Sequence, residues 1–309
     1  ANTGQNTVTL TITDATGNTA ACQTNINITD QTPPAAQCLN IAVQLNEQGQ
    51  ASITPAMVNN NSADNCAITN LAVLPTQFTC IDIGIASATL TATDAAGNTG
   101  SCLAQVTVSD ATPPTAQCQP NVSLLLNASG VAAVSTELIN NNSSDNCFLA
   151  QLTVFPTQFT CNNLQTANTV TLTATDQSGN TATCTTQITL ADNTPPIANC
   201  QNAAINLTQN GTATLLPNAV NNNSSDNCGI TQLSVFPDSF TCANLGQNNV
   251  VLTVTDALGN TATCQSSIAI TDNLPPQALC QNTSVTLNLS GNATLTPAPI
   301  NNNSTDNCI

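Results

Sequence analysis

The sequence predicts an all-β protein built of tandem repeats. Three observations carry this. Cysteines and their flanking motifs recur about every 81 residues, apolar and polar residues alternate with period 2, and Thr, Val and Ile dominate the alternating segments.

The repeat is read first from the cysteines. Cys22, Cys102, Cys184 and Cys264 are separated by 80, 82 and 80 residues, and Cys38, Cys118, Cys200 and Cys280 keep the same gaps. Cys66, Cys147, Cys228 and Cys308 recur at 81, 81 and 80, and Cys80, Cys161 and Cys242 at 81 and 81. The segment TDATGNTAAC (13–22) returns at 93–102, 175–184 and 255–264 with few changes. VNNNSADNC (58–66) returns at 139–147, 220–228 and 300–308, and DQTPP (30–34) returns as DATPP, DNTPP and DNLPP.

Alternation then places the strands. Val8, Leu10 and Ile12 share one face, and Cys22, Ile26 and Ile28 share another beyond the turn Asp14–Asn18, so 7–29 reads as a hairpin. In the span 31–110, an extended segment follows Pro33-Pro34. A Gly-containing turn at 46–50 leads into a strand over 51–58, and a polar loop covers 59–65. A strand over 67–74 turns at Pro75 and returns through 77–80, and a hairpin closes the span at 88–109. About seven short strands in about 80 residues match the rhythm of an Ig-like sandwich. The expected organisation is the C-terminal part of a module in 1–30, whole modules in 31–110, 111–192 and 193–272, and the N-terminal part of another in 273–309. Short Pro-Pro spacers predict a rod-like array, and the cut modules at both ends predict a window on a longer chain. The six phenylalanines, Phe78, Phe148, Phe155, Phe159, Phe236 and Phe240, are expected in core or turn packing.

Composition excludes whole classes of function. There is no Lys, Arg or His, and the 16 acidic residues leave a net charge of −16. Nucleic acid requires cationic phosphate contacts, which this chain cannot supply. No apolar run reaches the length of a membrane span, so no direct membrane insertion is expected. Trypsin has no site in the chain, which suits exposure to external proteases. The 15 cysteines lie 14 or more residues apart, unlike zinc ligands spaced two to four apart, and predict disulfides in an oxidising compartment.

The hairpin motif, the D-x-TPP segment and the cysteine that follows it resemble the hyalin-repeat (HYR) family of Ig-like extracellular modules. The added DNC and FTC cysteines resemble the repeat arrays of giant bacterial surface adhesins and gliding-motility-associated proteins. The resemblance covers essentially the whole chain and implies adhesion or spacing at the cell surface.

In an Ig-like strand order the first and last strands lie side by side, which pairs Cys38 with Cys102, Cys118 with Cys184 and Cys200 with Cys264. A staple across the spacer, Cys22–Cys38, remains open. Closure of a hairpin pairs Cys66 with Cys80, Cys147 with Cys161 and Cys228 with Cys242. The acids recur at three positions, and the strand order brings them together at each spacer: Asp30, Asp64 and Asp94; Asp110, Asp145 and Asp176; Asp192, Asp226 and Asp256. Three carboxylates with no cationic side chain nearby predict a hard cation, calcium, as the ligand. The alternative is that each Asp caps its own turn. A carboxylate-pair hydrolase would use the same residues, but near-identical copies at successive spacers read as scaffold, so no enzyme is expected.

The functional expectation is a structural spacer or stalk in a secreted, cell-surface filament or giant adhesin, stiffened by disulfides and calcium. Its partners are neighbouring modules of the same chain or filament, with any cell-surface or substratum ligand bound by domains outside this segment. Two alternatives stand beside it: a glycan- or surface-binding module, against which the lack of aromatic platforms weighs, and a self-polymerising appendage subunit.

Overall fold

The computed structural model describes residues 3–308, so positions 1, 2 and 309 of the two expected part-modules lie outside the described residues. The chain is all-β, as the alternation predicts. Two compact units divide it. One takes residues up to Pro120 with Ser135–Phe155 and Val170–Thr186; the other takes Asn121–Val134, Pro156–Thr169 and residues from Gln187 onward.

The first unit opens with a hairpin, β1 (Gly4–Thr13) and β2 (Thr19–Ile28). It continues with β3 (Ile41–Gln44), β4 (Gln50–Ser52), a single helical turn α1 (Pro55–Val58), β5 (Ile68–Leu74), β6 (Gln77–Thr79), β7 (Gly84–Asp94) and β8 (Thr99–Ser109). β3, β8, β7 and β5 form a four-stranded sheet in that order, while β4 and β6 form a two-stranded one. β3 runs parallel to β8, with Ile41 opposite Val106 and Val43 opposite Val108. The core between the two sheets holds Leu45, Ile53, Val58, Val73, Phe78, Leu90, Val106 and Val108. The unit also contains the strand Leu149–Phe155 and, antiparallel to it, the strand Asn168–Asp176 from residue 170 onward, paired from Leu149↔Asp176 to Phe155↔Thr171.

The second unit repeats the plan. Ala203–Asn206, Thr261–Thr271, Gly246–Asp256 and Ile230–Phe236 form a sheet of the same order, again with the first two strands parallel. Thr212–Thr214 pairs with Ser239–Thr241, and Leu215, Val220, Phe240, Leu252, Ile268 and Ile270 fill the core. Asn121–Leu125 runs parallel to the end of Thr181–Ala191, and Val131–Ala133 pairs with Gln158–Thr160.

Two local expectations differ from the structure. The strand over 51–58 ends at Ser52, because Pro55 stands at the start of a helical turn, where its fixed φ and missing N–H cost nothing. The phenylalanines split by position. Phe78, Phe159 and Phe240 are buried, whereas Phe155 and Phe236, each preceding a proline, are 78% exposed and Phe148 is half exposed.

The cysteines require a larger correction. Cys38–Cys102, Cys118–Cys184 and Cys200–Cys264 are joined, each tying the segment before a first strand to the last strand of the same sheet or pair. Cys66–Cys80, Cys147–Cys161 and Cys228–Cys242 are not. Cys80 bonds Cys147, Cys161 bonds Cys228 and Cys242 bonds Cys308. The reason lies in the sheets. β6 pairs with β4 rather than with β5, so it carries Cys80 to the turn at Gly49, whose carbonyl lies 3.7 Å from the Cys80 sulfur. Cys66 stays at the opposite end, where β5 begins beside Asp94. It is a free thiol, as are Cys22 and Cys280.

Gly49 shows how tightly this bond is seated. It has φ +71°, and a Cβ there would stand 2.6 Å from the Cys80 sulfur and 2.8 Å from the Asn146 carbonyl oxygen. Gly130 and Gly211 meet the same two kinds of atom at their own bonds.

Candidate metal centres at the repeat junctions

Each candidate site is assembled from three backbone features of the sequence. The first is the spacer Asp. Asp110 follows the last strand, and its Oδ1 accepts hydrogen bonds from the Thr112 N–H (3.1 Å) and the Asn146 side-chain amide (3.2 Å). The second is the DNC loop, where Asp145 accepts from the Cys147 N–H at 2.9 Å. The third is the hairpin turn, where Asp176 accepts from the Asn180 N–H and side-chain amide, both at 2.8 Å. Asn180 also donates to the Asp110 carbonyl at 3.3 Å, which locks the turn to the spacer.

The structure brings the predicted acids together. Asp110, Asp145 and Asp176 each offer one carboxylate oxygen, and the three oxygens lie within 4.8 Å of one another. Asp30 with Asp64 and Asp94, and Asp192 with Asp226 and Asp256, form two more such groups. Their hydrogen bonds match position by position. Asn98 ties Asp94 to the Asp30 carbonyl, and Asn260 ties Asp256 to the Asp192 carbonyl.

The turn-capping alternative accounts for half of each site. Every one of these Asp residues does accept a local backbone N–H. It leaves the other half unexplained. Asp110, Asp176, Asp192, Asp94 and Asp256 are buried, in a chain with no basic side chain to pair with them. One oxygen each of Asp30, Asp64, Asp110, Asp145, Asp192 and Asp226 is buried with no hydrogen-bond partner, as are the side-chain oxygens of Asn146 and Asn227. An unpaired buried carboxylate is costly. Like charges at this separation repel by about 3 kcal/mol per pair at an effective dielectric of 20. Oxygen-only ligands around concentrated negative charge are the donor set that hard divalent cations take.

Local hydrogen bonds govern the acids that titrate away from their ordinary range. Those from Thr32 lead in lowering Asp30. Burial pushes Asp256 upward, yet the bonds from Asn260, Leu258 and Gly259 outweigh it and hold the group low. The Cys66 thiol is raised, first by its hydrogen bond to Asp30.

Sequence reasoning missed the asparagines. Asn146 donates to both Asp110 and the Asn46 carbonyl, and Asn227 repeats this with Asp192 and Asn127. The signal was in view, since Asn follows the loop Asp in every DNC motif and ends every hairpin turn.

No helix among the described residues is long and apolar enough to cross a membrane. No protein-family model matches the chain. It is similar to hyalin of Strongylocentrotus purpuratus, with 29% identity over 90% of this chain and 24% of that protein. It is also similar to hyalin of Lytechinus variegatus, with 32% identity over 43% of this chain and 27% of that one. The chain thus spans about a quarter of the length of the curated relatives it matches, and its repeats are hyalin-repeat-like. Among solved structures, the extracellular cadherin domains 1–5 of protocadherin gamma B2 overlay with 10% identity and a TM-score of 0.32, covering 91% of this chain and 68% of that one.

Proposed function

We propose that this chain is a run of extracellular structural repeats, a stalk or spacer of a cell-surface filament or giant adhesin, whose repeat junctions bind calcium. The observation that carries the reading is the carboxylate triad, built three times from the same three sequence positions, with buried oxygens left without partners. Asp110, Asp145 and Asp176 would hold the ion at one junction, with equivalent sets at the other two. The ion supplies the positive charge that the sequence omits. The protein's own part is to fix the oxygens: Asn180 and Asn146 hold two of the carboxylates, and the Cys147 N–H orients the third. Six disulfides support the extracellular reading, because such bonds persist in oxidising compartments. Repetition of the site at each junction, in place of one differentiated cleft, favours scaffolding over catalysis.

Thermal unfolding of the metal-stripped chain tests this. Calcium at a hundredfold excess over its Kd is expected to add about 2.7 kcal/mol per occupied site, and EDTA to reverse the gain. Asp145→Asn should remove the share of one junction and leave the other two. A melting temperature indifferent to calcium overturns the metal-stiffened stalk.

A further inference from the structure

The six disulfides close the loops 38–102, 80–147, 118–184, 161–228, 200–264 and 242–308. Each loop begins before its predecessor ends. Every peptide bond between Cys38 and Cys308 therefore lies inside at least one closed loop, and no single backbone cut in that span divides the molecule. Had Cys80 bonded Cys66, the loops would be separate and a cut in 103–117 would part the chain. The bonds from Cys80, Cys161 and Cys242 are the ones that span these connecting segments.

The same connectivity sets the load path. Pulled from its ends, the chain passes force from Cys38 directly to Cys102, from Cys118 to Cys184 and from Cys200 to Cys264. The intervening stretches, with sequence separations of 64, 66 and 64, stay slack. Each would add about 20 nm if released, at about 3.4 Å per residue. The bonds are also sheltered: Cys38, Cys102, Cys80 and Cys147 are partly buried and pack against the core of the first unit.

We propose that this chain is a fail-safe tension-bearing tether, in which overlapping disulfides carry the continuity of the molecule and fix its length under load. The stalk reading supplies the setting, but the proposal stands on cysteine connectivity and not on calcium. Releasing length requires an external dithiol. It delivers two electrons, the S–S bond parts into two protein thiols, and the dithiol closes to its own disulfide.

The chain has one methionine, Met57, inside the first loop, and cyanogen bromide cuts after methionine. Cleavage of the oxidised chain is expected to leave a single full-length species without reductant and two fragments with it. The decisive cut lies in the connecting segment. In a Met57→Leu/Thr115→Met chain, cleavage after residue 115 severs a stretch spanned by Cys80–Cys147 alone. Thr115 is exposed and forms only a backbone bridge, to Ser144. One species before reduction and two after supports the proposal; adding Cys80→Ser should make the same chain fall apart without reductant. Two fragments before reduction in the Cys80-containing chain overturn it. Single-molecule stretching in EDTA gives the second readout. Steps of about 20 nm are expected only after dithiothreitol is added, and such steps in the oxidised chain also overturn the proposal. Neither readout depends on calcium, so a failure here is separable from a failure of the metal sites.

Discussion

The hairpins β1–β2 and β7–β8 are close copies in sequence and differ in nearly everything except their backbone. Leu10 faces Cys22 in one and Leu90 faces Cys102 in the other, the same register 80 residues apart. Both turns are held by an Asp that accepts from an Asn N–H at 2.8 Å, Asp14 from Asn18 and Asp94 from Asn98. Yet Leu10 is 61% exposed and Leu90 is fully buried. Cys22 is a free, exposed thiol and Cys102 is bonded to Cys38. The two hairpins share turn chemistry and register, whereas the burial of β7–β8 comes from residues 38–83, which share its sheet and core. Residues 277–308 show the converse. The bridges Gln277↔Thr305 and Cys280↔Asn301 form there, but no strand does among the described residues.

Breaking covalent cover should show the contrast most strongly. Replacing both Cys38 and Cys102 by Ala opens a loop with a sequence separation of 64 and should cost about 4 kcal/mol by chain-entropy arithmetic. Cys22→Ala should change stability by no more than about 0.5 kcal/mol. Denaturant unfolding under oxidising conditions compares the two, and an equal loss at Cys22 would mean that the first hairpin shares the covered core after all. Next in size is the packing contrast. Leu90→Ala is expected to cost about 3 kcal/mol through the cavity it leaves, and Leu10→Ala almost nothing, measured as a shift in denaturant midpoint.

The smallest expected effect sharpens what the two hairpins share. Hydrogen bonds from the Asn18 side chain, the Thr16 side chain and the Asn18 N–H lower Asp14 from 3.8 to about 2. The sign follows from the lowered pKa. The contribution of the charged carboxylate to the turn is complete above about pH 4 and is lost as the pH falls through about 2. The Asn18 amide chemical shift, followed from pH 5 to pH 1.5, should move with a midpoint near 2. A midpoint near 4 would show that the turn does not hold its own Asp.

Features governed by short-range chemistry were legible in the sequence. The strands, the hairpin turns and the three-fold grouping of Asp30, Asp64 and Asp94 follow from alternation, from Asx turns and from one consistent strand order. The bond from Cys80 to Cys147 was not legible, because it depends on which sheet the short β6 joins. Three residues, Gln77–Thr79, carry too little pattern to choose between β5 and β4. The spacing of 14 between Cys66 and Cys80 favoured closure of a local hairpin. The recurrent glycine at positions 49, 130 and 211 held the missing information, since only a residue without Cβ lets the sulfur and the next DNC loop approach. Pro55 likewise announced a helical turn inside a stretch that otherwise read as strand.

The forward-reaching bond also bears on how such a chain can change in length over generations. Cys80, Cys161 and Cys242 each reach forward to the next DNC cysteine, Cys147, Cys228 and Cys308, so the donor and acceptor positions are the same in all three links. A duplicated repeat therefore arrives with both halves of the link it interrupts, and a deleted one leaves two neighbours whose cysteines still match. Unequal recombination between copies can lengthen or shorten the gene without stranding a thiol at the join, so the number of repeats is free to drift while the pattern of cross-links is inherited intact.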